Sequence, residues 1–126
     1  MKREIIMWIL RITASVILLQ TLFFKFSGAE ESVYIFSRLG IEPYGRIGSG
    51  IAELIAAILI VIPRATWIGA FAAAGIMFGA ILSHLFVLGI EIQNDGGLLF
   101  ALAVITLFCS LGLLYLNKKQ LFNLLN

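Results

Sequence analysis

Four stretches of this chain stay apolar for the length of a membrane crossing, and short clusters of charge, Gly and Pro separate them. They cover residues 5–24, 46–62, 67–90 and 98–116. A helix needs about 20 residues to cross roughly 30 Å of hydrocarbon. The second run is the shortest, and is expected to take in Tyr44 and Gly45 or to stand nearly upright. Each run is expected to be helical, because an open sheet edge in lipid leaves backbone groups without partners.

The connections differ in length. Pro63 and Arg64 make a very short turn, so the second and third spans are expected to be antiparallel neighbours. Residues 91–97 join the third and fourth spans, with Asn-Asp-Gly-Gly as turn chemistry. The connection over residues 25–45 is longer. Within it Val33, Phe36 and Leu39 recur at helical spacing, with Glu31, Ser32, Ser37 and Arg38 on other faces. That pattern predicts a short helix lying in the membrane interface, ended by Gly40 and Pro43. The expected architecture is an all-α membrane protein. It is a four-transmembrane-helix bundle with a short interfacial helix between spans 1 and 2, forming one domain over residues 1–126.

Charge orients such a bundle. One side carries Lys2, Arg3, Arg64, Lys118 and Lys119, opposed by Glu4. The other carries Lys25, Arg38 and Arg46 among Glu30, Glu31, Glu42, Glu91 and Asp95. The excess of Lys and Arg on the first side puts both termini in the cytoplasm. Trp8, Trp67 and Tyr115 suit the aromatic belt on that side. The start of the chain also resembles a signal peptide, with Lys2-Arg3 ahead of an apolar stretch and Ser27-Gly28-Ala29 after it. Arg11 interrupts that stretch, which is as long as a full span, and Lys25 crowds the site. A retained span is therefore expected.

Two spans each hold an ionisable residue well inside them: Glu53, and the single histidine His84. Such a group costs several kcal/mol in lipid unless it faces protein, water or a partner. At 1.5 Å per residue, Glu53 lies about 10 Å, His84 about 9 Å and Gln20 about 6 Å below the outer boundary. A Glu53–His84 pair lining a polar pocket is one reading, with Lys25 and Glu30 capping it from above. Structural glue between helices is the other. One His and one Glu fall short of the usual metal-ligand sets. Arg11 lies near the inner boundary and leans toward the cytoplasm, which predicts snorkelling to the headgroups.

Small residues recur four apart at Gly48, Ala52 and Ala56, and again at Gly75, Gly79 and Ser83. Such stripes let helix backbones approach closely, so they are expected to face neighbouring helices. Glu53 and His84 each directly follow a stripe residue.

Composition narrows the function classes. The chain is 61% hydrophobic and only 13% charged, with a net charge of +2. Its mean hydropathy is +1.06. No basic run with interleaved aromatics suggests nucleic acid. The single cysteine, Cys109, cannot close an intrachain disulfide and reads as a small buried hydrophobe. No haem, flavin or iron–sulfur motif is visible.

The first span begins with an Arg and ends in FFKFSGAE; GxxELIAAILI, a Pro-Arg turn and a third span closing on His follow. Together these resemble the DoxX family of small four-helix membrane proteins, over about residues 8–118. The resemblance implies a compact four-helix bundle in a bacterial inner (plasma) membrane. It also implies a link to redox chemistry, since the family takes its name from subunits associated with thiosulfate:quinone oxidation. Other members are linked to redox-stress complexes, and relatives in animals act as receptor assembly chaperones. The polar positions carried over are Lys25, Glu53 and His84. Related proteins of methylamine oxidation are tied to disulfide formation, a pattern from which this chain departs in having only Cys109.

Two functions from different classes follow. One is a redox-associated, quinone-linked membrane subunit with an intramembrane polar site drawn from Glu53, His84, Gln20, Lys25, Glu30 and Ser83. It would take a quinone, and electrons from a partner membrane protein or redox enzyme. The other is a non-catalytic assembly factor or chaperone, offering its spans to another membrane protein or to a second copy of itself. A small-solute transporter fits less well, because the spans carry no paired broken helices. With no complete catalytic motif, an enzymatic role of its own stays open.

Overall fold

A computed structural model of the protein describes residues 2–118. The helices are α1 (Lys2–Phe26), α2 (Glu30–Arg38), α3 (Tyr44–Val61), α4 (Thr66–Ser83) and α5 (Leu98–Leu116), and α4 runs on into a π turn, His84–Leu88. Among the described residues four helical segments are long and apolar enough to cross a membrane: α1, α3, α4 with its π turn, and α5. The second span does take in Tyr44 and Gly45. The third stops at Leu88 rather than residue 90, where Gly89 turns the chain with φ +81°. Lys119, one of the charges used for orientation, lies outside the described residues.

The spans form a square. α1 packs on α3 and α5, and α4 packs on α3 and α5, so α1 and α4 occupy one diagonal. The inward faces are small: Ala14, Ala56, Ala57, Ala70, Ala73 and Ala103 are buried together with Leu18, Ile60 and Leu113. The outward faces are large, with Phe23, Phe71, Phe78, Phe86 and Phe108 all exposed. Lipid is as apolar as the interior, so shape rather than polarity decides which face turns in.

The stripe positions report this. Nothing lies within 4 Å of where a Cβ would stand on Gly48, Gly75 or Gly79, so these glycines do not bring helices together within the chain. Of the stripe residues, Ala56 is fully buried and Ala52 half-buried. The close approach falls on Gly69 instead, whose Cβ would meet Ile60 N at 2.6 Å and Ala56 O at 2.8 Å.

α2 crosses the end of the bundle remote from the termini, touching α1, α3 and the π turn. Glycines in the left-handed region make both of its approaches. Gly28 closes α1, with Ala29 N–H donating to Phe24 O at 3.0 Å, and Gly40 closes α2, with Ile41 N–H donating to Phe36 O at 3.0 Å. Both are Schellman stops.

Asp95 holds the loop ahead of α5. Its carboxylate accepts N–H groups from Ile92 at 3.0 Å, Gly97 at 2.8 Å and Leu99 at 3.2 Å. Burial pushes this carboxyl up, but backbone donors at Ile92, Gly97, Leu99 and Leu98 outweigh that and hold it below its ordinary range. Because the folded value is depressed, the stabilisation is complete above the unfolded carboxylate value and is lost as pH falls through the folded one. Asp95→Ala is therefore expected to cost about 1–2 kcal/mol near neutral pH, the range for a lost helix cap. Thermal melts from about pH 7 to about pH 3 should show the gap between variant and wild type closing. A gap constant over that range contradicts the assignment.

Candidate functional site

Two polar pairs face each other across the α1–α3 interface. Thr21 and Lys25 stand one turn apart on α1, and Ser49 and Glu53 one turn apart on α3, so each pair shares a helix face. Lys25 Nζ forms an ion pair with Glu53 Oε1 and donates to Ser49 Oγ at 2.7 Å. Thr21 Oγ1 donates to Glu53 Oε2 at 3.0 Å. Glu53 is 2% exposed, so its charge is balanced inside the protein rather than by water. The ammonium also sits 5.6 Å from the Phe36 ring of α2. Arg46 anchors the surroundings, bonding Glu42 at 2.9 Å and donating to the Lys25 carbonyl at the end of α1.

His84 approaches from the opposite side. The π turn brings its ring back against the chain, with Nδ1 3.0 Å from Gly89 O. A carbonyl only accepts, so Nδ1 carries the hydrogen. Nε2 then has no hydrogen-bond partner among the described residues. The ring packs edge-on against Phe100 of α5 at 5.5 Å and is buried.

Between these groups lies a cavity of about 330 Å³. Its walls are mostly aliphatic, among them Leu18, Ile76, Met77 and Leu102, with α2 covering it through Ile35 and Phe36. Lys25, Ser49, Glu53, Thr21, Ser83 and His84 supply polar lining, together with Glu31 and Ser32 of α2. Of the two readings left open for Glu53 and His84, a direct bond between them is not seen: both side chains line the same space, but Glu53 is committed to Lys25 and Thr21, and His84 to Gly89. Ser83 bonds back to Gly79 O at 2.9 Å.

The other candidates fall elsewhere. Gln20, adjacent to Thr21, is exposed and turned about 100° around the helix from it. Glu30 is exposed in the first turn of α2, and it is Glu31 that reaches the cavity rim. Thr21 and Ser49 were missed as site residues; the four-residue spacings Thr21–Lys25 and Ser49–Glu53 were the available signal. Arg11 leans toward the end of the bundle near the termini, as expected, but it is enclosed by protein rather than exposed. It is 5% exposed, its Nε donates to Thr66 Oγ1 at 3.3 Å, and its guanidinium lies 4.7 Å from the Trp8 ring centre. Cys109 is buried in the core.

A model of the DoxX family matches residues 6–88, which take in α1 through the π turn and so every charged or imidazole group lining the cavity. No curated protein and no solved structure matches the chain.

Proposed function

The chain belongs to the DoxX family of membrane proteins, and from that premise we propose that it is a quinone-linked redox subunit, with the cavity as its quinone site. The observation that carries this is the pairing of an aliphatic chamber of about 330 Å³ with a buried ion pair on one wall and an imidazole on the other. A quinone head needs an apolar slot with hydrogen-bond donors near its carbonyls, and small-molecule sites are generally of this volume and mixed character.

A bound quinone would supply the electron-accepting carbonyls, going to quinol on taking up two electrons and two protons. Two of the hydrogens on Lys25 Nζ are committed to Ser49 and Glu53, which leaves the third for a carbonyl oxygen. His84, its Nδ1 held by Gly89 O, offers Nε2 as donor when the ring is protonated and as acceptor when it is neutral. One proton would come from the imidazolium and the other through the Lys25–Glu53 pair. The electrons would come from a partner redox protein. With both termini in the cytoplasm of a bacterial inner membrane, the site lies in the outer half of the bilayer. A second reading, a non-catalytic assembly factor, is favoured by Gly75, which is exposed and where an added Cβ would meet none of the described residues within 4 Å.

Calorimetric titration of decylubiquinone into the detergent-purified protein tests the proposal. Saturable binding is expected, weakened at least about tenfold by His84→Ala, as for loss of one well-placed polar contact. Glu53→Gln, which keeps the size and one acceptor oxygen for Lys25 while turning the other into a donor toward the Thr21 hydroxyl, is expected to weaken it less. A flat titration with folded wild-type protein removes the quinone reading and leaves the assembly role standing.

A further inference from the structure

The end of the bundle near the termini holds a second cavity of different lining chemistry. Among the described residues, this cavity of about 560 Å³ is lined by Arg3, Glu4, Met7, Trp8, Arg11 and Asn117, with Pro63 and Leu116 beside them. Arg11 is the unusual member. It lies within a membrane-spanning helix, is 5% exposed, and uses only Nε in a hydrogen bond. Among the described residues its Nη groups have no hydrogen-bond partner and no carboxylate pairs with it. A buried guanidinium with idle donors is costly, and such groups are normally paired. The guanidinium carbon lies over the Trp8 ring, 4.7 Å from its centre, and the group lines the cavity.

We propose that this cavity binds a phosphate group, with Arg11 presenting its guanidinium edge to two phosphate oxygens. Guanidinium forks match phosphate oxygens two at a time. Arg3 lines the same cavity and is exposed, so it can add a second positive charge, against which Glu4 at the rim sets one negative charge. Asn117 is 4% exposed and commits one amide hydrogen to Leu113 O at 2.7 Å, which leaves the other free.

Depth says which phosphates can arrive. Arg11 is nine residues from the start of α1, about 13 Å along the helix. Its side chain folds back over Trp8, nearly one turn toward the terminus, which brings the guanidinium to headgroup level rather than mid-bilayer. Phosphate is the common anion at that level, carried by a lipid or free in the adjoining water. The proposal is independent of the quinone reading, since it uses the opposite end of the bundle and none of the same residues.

The stacking of Arg11 on Trp8 gives a direct readout. The Trp67→Phe protein, in maltoside micelles, has Trp8 as its remaining tryptophan. Its emission is followed while short-chain phosphatidylglycerol, phosphatidylcholine of the same chain length, or inorganic phosphate is added. A saturable change with phosphatidylglycerol is expected, roughly tenfold weaker in Arg11→Gln and partly restored in Arg11→Lys, which keeps the charge without the fork. Arg3→Gln, at an exposed position, is expected to weaken it about threefold and carries the test if Arg11→Gln does not fold. Saturation by inorganic phosphate alone supports the same site with a free anion as its occupant. Equal response to phosphatidylcholine and phosphatidylglycerol, no saturable response to any probe, or an unchanged midpoint in folded Arg11→Gln overturns it.

Discussion

Lys25→Met is expected to destabilise the bundle by about 3–5 kcal/mol, the usual cost of removing one partner from a buried ion pair. The loss is that large because Glu53 cannot escape. It is 2% exposed, sits mid-helix on α3, and would keep only the Thr21 hydroxyl at 3.0 Å. It must then stay charged in an apolar wall or take up a proton, and both raise the free energy of the folded state. The reverse change, Glu53→Leu, is expected to cost less. Lys25 stands in the last turn of α1 with its side chain 15% exposed, and its long stem can carry the ammonium outward. The double variant Lys25→Met/Glu53→Leu should recover most of the loss, since apolar replacement of a whole buried pair is often neutral. Unfolding by SDS titration of the three variants completes a double-mutant cycle. Equal losses in the two single variants, or a double variant worse than either, would falsify this account. A double variant that folds well yet no longer binds decylubiquinone would place the value of the pair in function rather than stability.

Substitution of glycine should have opposite signs at two places on the same helix. Gly69→Ala is expected to destabilise by about 1–3 kcal/mol, the range for an overpacked interior. Its Cβ would stand 2.6 Å from Ile60 N, 2.8 Å from Ala56 O and 2.9 Å from Leu59 Cβ. Two of those atoms are backbone of α3, so α3 and α4 must separate along the face where Ala56, Ile60, Ala70 and Ala73 are fully buried. Gly75→Ala and Gly79→Ala meet nothing within 4 Å and should stabilise by up to about 1 kcal/mol through helix propensity alone. Thermal midpoints in one detergent measure all three. A loss at Gly75 or Gly79 as large as that at Gly69 would show that those glycines pack against something outside this chain.

The number of spans and their approximate limits were legible because crossing a bilayer demands length and apolarity, and both can be read residue by residue. The interfacial helix was legible for a similar reason: Val33 and Phe36 return at helical spacing in an otherwise polar segment. The ends were less so. The third span gives way at Gly89, and α1 runs on to Phe26 because Gly28, rather than the change in polarity, stops it.

The site was half legible. Glu53, His84 and Lys25 stood out as ionisable groups in or beside apolar spans, and all three line one cavity. Their partners did not stand out. The two-residue Pro63–Arg64 turn made α3 and α4 look like the natural source of a pair, yet α1 also packs on α3 and supplies Lys25 and Thr21. Arg11 leans to its own helix terminus, as its position predicts, but Trp8 and Thr66 enclose it where snorkelling to the headgroups would leave it exposed.

The sequence by itself determined the family, the helical class, the spans and the chemical inventory of the interior. The tertiary structure alone decided the rotation of each helix about its axis. In a soluble helix the polar face marks water, but here lipid and core are alike in polarity, so a stripe such as Gly75–Gly79 carries no mark of where it points. Rotation is set by where small side chains let backbones close, at Gly69 against Ala56 and Ile60, and by the Lys25–Glu53 pair that fixes α1 on α3.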